Sequence, residues 1–142
     1  MACGNNLKQC NYKSIERTFN NTSQPFVATG TTLNLLGVKA TDTGVSICSS
    51  VNNFSINCTG TYHICADVTA EPTGAGDLEI QLYRNGVPLP CAICTQTVAS
   101  GDTYTLHTET DIYLKPDDEI SLNISGVAGS VTWLGASCIK WA

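Results

Sequence analysis

Chemistry in this chain has to come from few residue types. There are two histidines, His63 and His107, and eight cysteines: Cys3, Cys10, Cys48, Cys58, Cys65, Cys91, Cys94 and Cys138. Cys91-Ala92-Ile93-Cys94 is a single C-x-x-C. A structural zinc site needs a second such pair, which Cys3 and Cys10 supply only through tertiary contact. The redox form of the motif opens a helix, whereas here it follows Val87-Pro88-Leu89-Pro90. The spacing leaves both pairs open between reduced, disulfide-bonded and metal-bound states, and it assigns no metal. Cys58 and Cys138 read as small buried hydrophobes. A Ser-His-Asp triad needs a histidine beside a positioned serine, and no G-x-S-x-G, H-E-x-x-H or Walker A sequence is present. Asp117-Asp118-Glu119 lacks the spaced ligand loop of an EF-hand and reads as a solvated turn. Carboxylate pairs that cleave glycosides usually work among sugar-stacking aromatics, and only 7% of these residues are aromatic. The residues point away from an enzyme and call for no cofactor.

The elements that must position these groups are strands. The chain has 142 residues, enough for one domain with a short arm. Charged residues are 13%, while Thr, Ser and Asn number 18, 11 and 11, so the polar surface is mostly neutral. That mixture favours strands and turns over long helices. Net charge is −5 with no basic stripe, which excludes phosphate-driven nucleic-acid binding. No apolar run approaches the roughly 20 residues that span a bilayer. Met1 to Asn6 has no secretory signature, so synthesis is expected in the cytoplasm, where thiols stay reduced.

Residues 1–24 differ from the rest. They hold Lys8, Lys13 and Arg17, three of the seven basic residues, and end in a linker-like Asn20-Asn21-Thr22-Ser23 before Pro25. They are expected to form an arm ahead of a domain over 25–142. From Phe26 onward the period is two. Tyr62, Ile64, Ala66 and Val68 share one strand face, with His63, Cys65 and Asp67 on the other. Leu82, Leu114 and Leu122 sit on core faces of later strands. Asn85-Gly86 is a type I′ hairpin signal, and Lys115-Pro116-Asp117-Asp118 is a turn. Eight to ten short strands with no helix predict an all-β sandwich or barrel.

Gly60-Thr61-Tyr62-His63-Ile64-Cys65-Ala66-Asp67-Val68 resembles the G-x-Y-x-I-x-x-x-V strand of the tumour necrosis factor-like jelly rolls. Leu82 to Pro90, Gly101-Asp102-Thr103 and Leu114 to Leu122, in that order, resemble the bacterial and phage branch of that family. That branch includes spore-surface collagen-like proteins and phage head-fibre or decoration proteins. The resemblance covers about residues 26–142, with Cys91 and Asp117 standing where the branch commonly has glycine. It implies a jelly-roll β-sandwich assembled as a homotrimer, its core including Tyr62, Ile64, Val68, Leu82, Leu114 and Leu122. It further implies that His63, Cys65, Asp67 and His107 face the other subunits. A trio of imidazoles meeting there would resist protonation and weaken the trimer below about pH 6. No Gly-X-Y tract precedes the domain, which favours a virion protein over a spore stalk. The expectation is a phage capsid decoration or head-fibre protein, made in the host cytoplasm and carried on the virion. Residues 1–24 would seat it on a capsid or other virion protein. Loops 71–76 and 126–129 would contact host-surface glycans. The alternative is a receptor- or glycan-binding surface module of the same fold. Neither reading involves nucleic acid or a membrane.

Overall fold

The computed structural model describes residues 14–35, 38–43 and 47–141, with 38–43 described by their backbone alone. The strands are β1 (Ser14–Asn20), β2 (Gln24–Phe26), β3 (Thr31–Thr32), β4 (Val38–Thr43), β5 (Ile47–Ser49) and β6 (Phe54–Ile56). They continue as β7 (Gly60–Pro72), β8 (Gly76–Arg84), β9 (Val87–Val98), β10 (Tyr104–Leu114), β11 (Glu119–Ser125) and β12 (Gly129–Lys140). One sheet runs β10-β7-β12-β1-β4 with β2 also on β12, and the other runs β5-β6-β11-β8-β9 with β3 also on β11. The pairings among the described residues are antiparallel. Among the described residues there are twelve strands, more than the eight to ten expected, because β2, β3, β5 and β6 are pieces of two or three residues.

The two sheets close over alternate residues of the long strands. Tyr62, Ile64 and Val68 on β7, Leu82 on β8, Leu114 on β10 and Leu122 on β11 are at most 2% exposed. The Tyr62 hydroxyl donates to the Cys58 carbonyl at 2.6 Å, so the buried phenol keeps a partner. Asn85 and Gly86 both have positive φ, 52° and 79°, and join Arg84 to Val87 as the two-residue turn requires. Pro88 and Pro90 cannot donate to the ladder, and the β8–β9 register shifts between Gln81 and Tyr83, opposite them.

Three expectations change. First, the 24/25 boundary is not an edge of the sheets. β1 pairs along its whole length with β12 and on its other side with β4. The supposed linker is stitched in: Gln24 Nε2 donates to Asn34 O at 2.9 Å, Asn34 N donates to Gln24 Oε1 at 2.7 Å, and Asn20 Nδ2 donates to Asn34 O at 3.2 Å. Only residues 1–13 of the expected arm lie outside the described residues. The strand escaped notice because its inward residues, Ser14, Glu16, Thr18 and Asn20, are polar yet buried. Second, Cys58 is not an inert thiol: it and Cys48 are disulfide-bonded. Cys138 is a buried free thiol, while Cys91 is exposed and Cys94 half-buried against the core, both free.

Third, the turn before β11 is not simply solvated. Asp118 is 8% exposed and accepts from the Lys115 N–H and from Asn85 Nδ2, both at 2.9 Å. Partial burial pushes its carboxyl up, but these two donors, with the charges of Arg84 and Lys115, outweigh that and hold it below the usual range. Asn85 Oδ1 accepts from Glu119 N at 2.9 Å, which ties the β8–β9 hairpin to this turn. Asp117 has φ +73°, a left-handed conformation that glycine adopts without strain. Asp117→Gly is therefore expected to raise stability in urea unfolding by up to about 1 kcal/mol. Gly126→Ala should do the opposite. Gly126 has φ +102°, and an added Cβ would lie 1.9 Å from the Asp77 carbonyl oxygen. The same measurement should show a loss of about 3 kcal/mol, or no folded protein.

Candidate functional site

Antiparallel register fixes which side chains share the outer face of the β10-β7-β12-β1 sheet. One cross-strand row is Ile15, Ile139, His63 and Asp111, read from β1 through β12 and β7 to β10. The next is Arg17, Ser137, Cys65 and Glu109, and the third is Phe19, Gly135, Asp67 and His107. The register of β7 on β12 shifts between Val131 and Trp133. The Trp133 ring then lies over Gly135: a Cβ there would sit 2.4 Å from Trp133 Cη2. All four residues expected to face other subunits, His63, Cys65, Asp67 and His107, thus occupy one strip on two paired strands.

The strip is a continuous chain of polar contacts. His107 Nδ1 is 2.7 Å from Asp67 Oδ1, and its Nε2 is 2.8 Å from Glu109 Oε1. The other Glu109 oxygen is 3.2 Å from His63 Nε2, and His63 Nδ1 is 2.7 Å from Asp111 Oδ1. Cys65 Sγ lies 3.9 Å from His107 Nδ1. Glu109 and Asp111 went unnoticed in the sequence. Their signal was parity: they share the face of His107 on β10, but only the β7–β10 pairing, far apart in sequence, gives that shared face meaning.

The carboxylates set the protonation of the strip. Hydrogen bonds to Glu109 first and Asp67 second raise the His107 pKa, against a smaller opposing effect of burial. Burial first, then the charges of Asp67 and Glu109, push the Cys65 thiol up. An activated cysteine nucleophile needs the reverse, an electropositive setting that stabilises the thiolate. Within one chain, then, each histidine meets carboxylates and not other imidazoles. Within one chain these carboxylates set how His107 responds to acid. A folded-state pKa above the unfolded value contributes stability that is complete below about pH 6.5 and fades as pH rises through the folded value. Mild acidification should strengthen these contacts. NMR titration of the His107 ring should give a pKa above that of a model imidazole, and Glu109→Gln should bring it down.

No family model and no curated protein sequence matches the chain. Solved structures do. The fold is the tumour necrosis factor-like jelly roll. Murine APRIL at pH 5.0 superposes with a TM-score of 0.72 at 15% identity, over 92% of this chain and 100% of that one. Eiger TNF from S. frugiperda gives 0.65 at 11% identity, over 92% of each chain. The globular domain of zebrafish complement 1qA gives 0.64 at 9% identity, over 89% of this chain and 94% of that one.

Proposed function

We propose that the chain is a non-enzymatic, homotrimeric jelly-roll module, and specifically a phage capsid decoration or head-fibre protein. The observation that carries assembly is the contrast between the two sheet faces. The outer face of the β11–β8 pair is polar, with Glu119, Ser121, Asn123 and Ser125 beside Asp77, Glu79, Gln81 and Tyr83, and this sheet's exposed apolar residues, Val87 and Ile93, stand on its edge strand β9. The opposite outer face sets half-buried Ile15, Phe19 and Ile139, and exposed Trp133 and Trp141, around the histidine–carboxylate strip. A monomer gains nothing by presenting such a face to water, and exposed apolar patches commonly mark contact surfaces. The jelly-roll resemblance supplies the occupant, two further copies of this chain.

The virion reading rests on the resemblance to the phage branch, with residues 1–13, which include Lys8 and Lys13, as the attachment segment. The disulfide-bonded Cys48 and Cys58 favour a product displayed in an oxidising medium, such as a particle surface. Glycan binding is the alternative, and one observation favours it. Thr73 N donates to Ala128 O at 2.9 Å and Gly101 N donates to Pro72 O at 2.9 Å, so the segments around 73, 101 and 128 meet as one cluster of loops at an end of the sandwich.

Light scattering on the purified chain should give a mass three times 15.0 kDa. Ile139→Glu, which places a charge on the outer face and leaves the core untouched, should shift it to monomer with an unchanged circular dichroism spectrum. A monomeric parent chain would defeat the assembly reading. Co-sedimentation with capsid particles, weakened by Lys8→Glu with Lys13→Glu, is the outcome expected for decoration. Specific retention on a glycan array without particle binding would transfer the assignment to the surface module.

A further inference from the structure

Cys65, Asp67 and His107 offer a thiol sulfur, a carboxylate oxygen and an imidazole nitrogen that all lie within 4.8 Å of one another. Three donor types come from two paired strands, so a hydrogen-bonded ladder and not a loop sets their spacing. His107 Nδ1 is 2.7 Å from Asp67 Oδ1 and 3.9 Å from Cys65 Sγ. With bonds of about 2.0 Å to nitrogen and oxygen and about 2.3 Å to sulfur, an ion on His107 Nδ1 meets the sulfur spacing at an N–metal–S angle of roughly 130° and the oxygen spacing at an N–metal–O angle of roughly 85°, and sharing it between sulfur and oxygen requires those two to lie within about 4.3 Å. The outer partner is also in place. With Nδ1 on the ion, His107 Nε2–H donates to Glu109 Oε1 at 2.8 Å, and His63 braces the second Glu109 oxygen. A metal-binding imidazole characteristically has such a carboxylate behind it.

We propose that Cys65, Asp67 and His107 form a transition-metal site of the zinc type within each chain, with Glu109 orienting His107 and water taking the fourth position. Binding exchanges the thiol proton for the metal and releases that proton to solvent. The acidic surroundings that keep Cys65 protonated in the free chain become an attraction once a divalent cation arrives. Sulfur and nitrogen donors select zinc, cobalt or copper over magnesium and calcium. The three ligands belong to one chain, so the site does not depend on trimer formation. In a trimer it lies in the subunit interface.

The test is titration of the full chain with Co²⁺ after chelator treatment, under anaerobic conditions. The expected result is a thiolate-to-cobalt absorption band in the near ultraviolet that saturates at one ion per chain and is displaced by Zn²⁺. Cys65→Ser should abolish the band, and His107→Gln should weaken binding at least tenfold. Glu109→Gln should keep the band and lower affinity about 10- to 100-fold. Cys91→Ser with Cys94→Ser should leave it unchanged. No sulfur band, a band that survives Cys65→Ser, or one lost with Cys91 and Cys94 overturns the proposal. Light scattering on the same samples separates the two readings. A monomer that binds cobalt through Cys65 keeps the metal site and rejects the trimer; a trimer without the band does the reverse.

Discussion

Strand β7 is hydrogen-bonded on both sides, to β10 and to β12, and its two registers decide both faces of the molecule together. Successive side chains of a strand point to opposite faces, so a slip of one residue would exchange them. Tyr62, Ile64, Ala66, Val68 and Ala70 would leave the core, and His63, Cys65 and Asp67 would enter it. Burying five apolar side chains is worth several kcal/mol. Burying a histidine, a thiol and a carboxylate without partners would cost at least as much again. The core therefore specifies the outer strip. The histidine–carboxylate chain has its geometry because the opposite side of the same strand cannot move.

β1 obeys the same geometry with the opposite chemistry. Its inward residues are polar and its outward ones include Ile15 and Phe19. Glu16 is 1% exposed and accepts a hydrogen bond from the buried Ser49 hydroxyl on β5, so this polar strip ties the two sheets together where apolar packing would otherwise do so. Buried polar groups are tolerated where their bonds are made, as between Ser49 and Glu16, while the buried Thr18 hydroxyl oxygen lacks a hydrogen-bond partner among the described residues. The inversion also has an outward consequence. Turning Ser14, Glu16, Thr18 and Asn20 inward places Ile15 and Phe19 beside the strip, and the outer face gains the apolar rim that a partner can cover.

These two strands show what a sequence reveals. β7 was legible because periodicity, burial and the Gly60–Val68 resemblance agree. The Asn85-Gly86 hairpin was legible because its backbone requires those residue types. β1 was hidden because hydrophobicity served as the measure of inwardness, and in β1 that measure has the wrong sign. The fate of Cys58 was hidden because a disulfide is a fact of three dimensions. At the candidate site, His63, Cys65 and Asp67 could be placed together from a single strand. Glu109 and Asp111 became partners only through a ladder between segments more than forty residues apart. The late turn is intermediate: Asp117 stood out as a departure from glycine, and its φ shows what that departure asks of the backbone.

The charges of the strip link assembly to its two possible counter-ions. Asp67, Glu109 and Asp111 carry three negative charges on a face that also offers Arg17. Covering that face removes water from the carboxylates, so their charge has to be met locally. Arg17 adds one positive charge, and a proton on His107 adds another. A zinc-type ion changes the means and not the sum. Metal at +2, thiolate at −1 and neutral His107 total +1, the same as a neutral thiol beside a protonated His107. Proton and metal are therefore alternative occupants of one electrostatic role at His107. The proton serves in mild acid, and the ion serves at higher pH, where the imidazole is free to coordinate. The charge held at His107 is then the same whether a proton or an ion occupies it, which an imidazole alone does not provide.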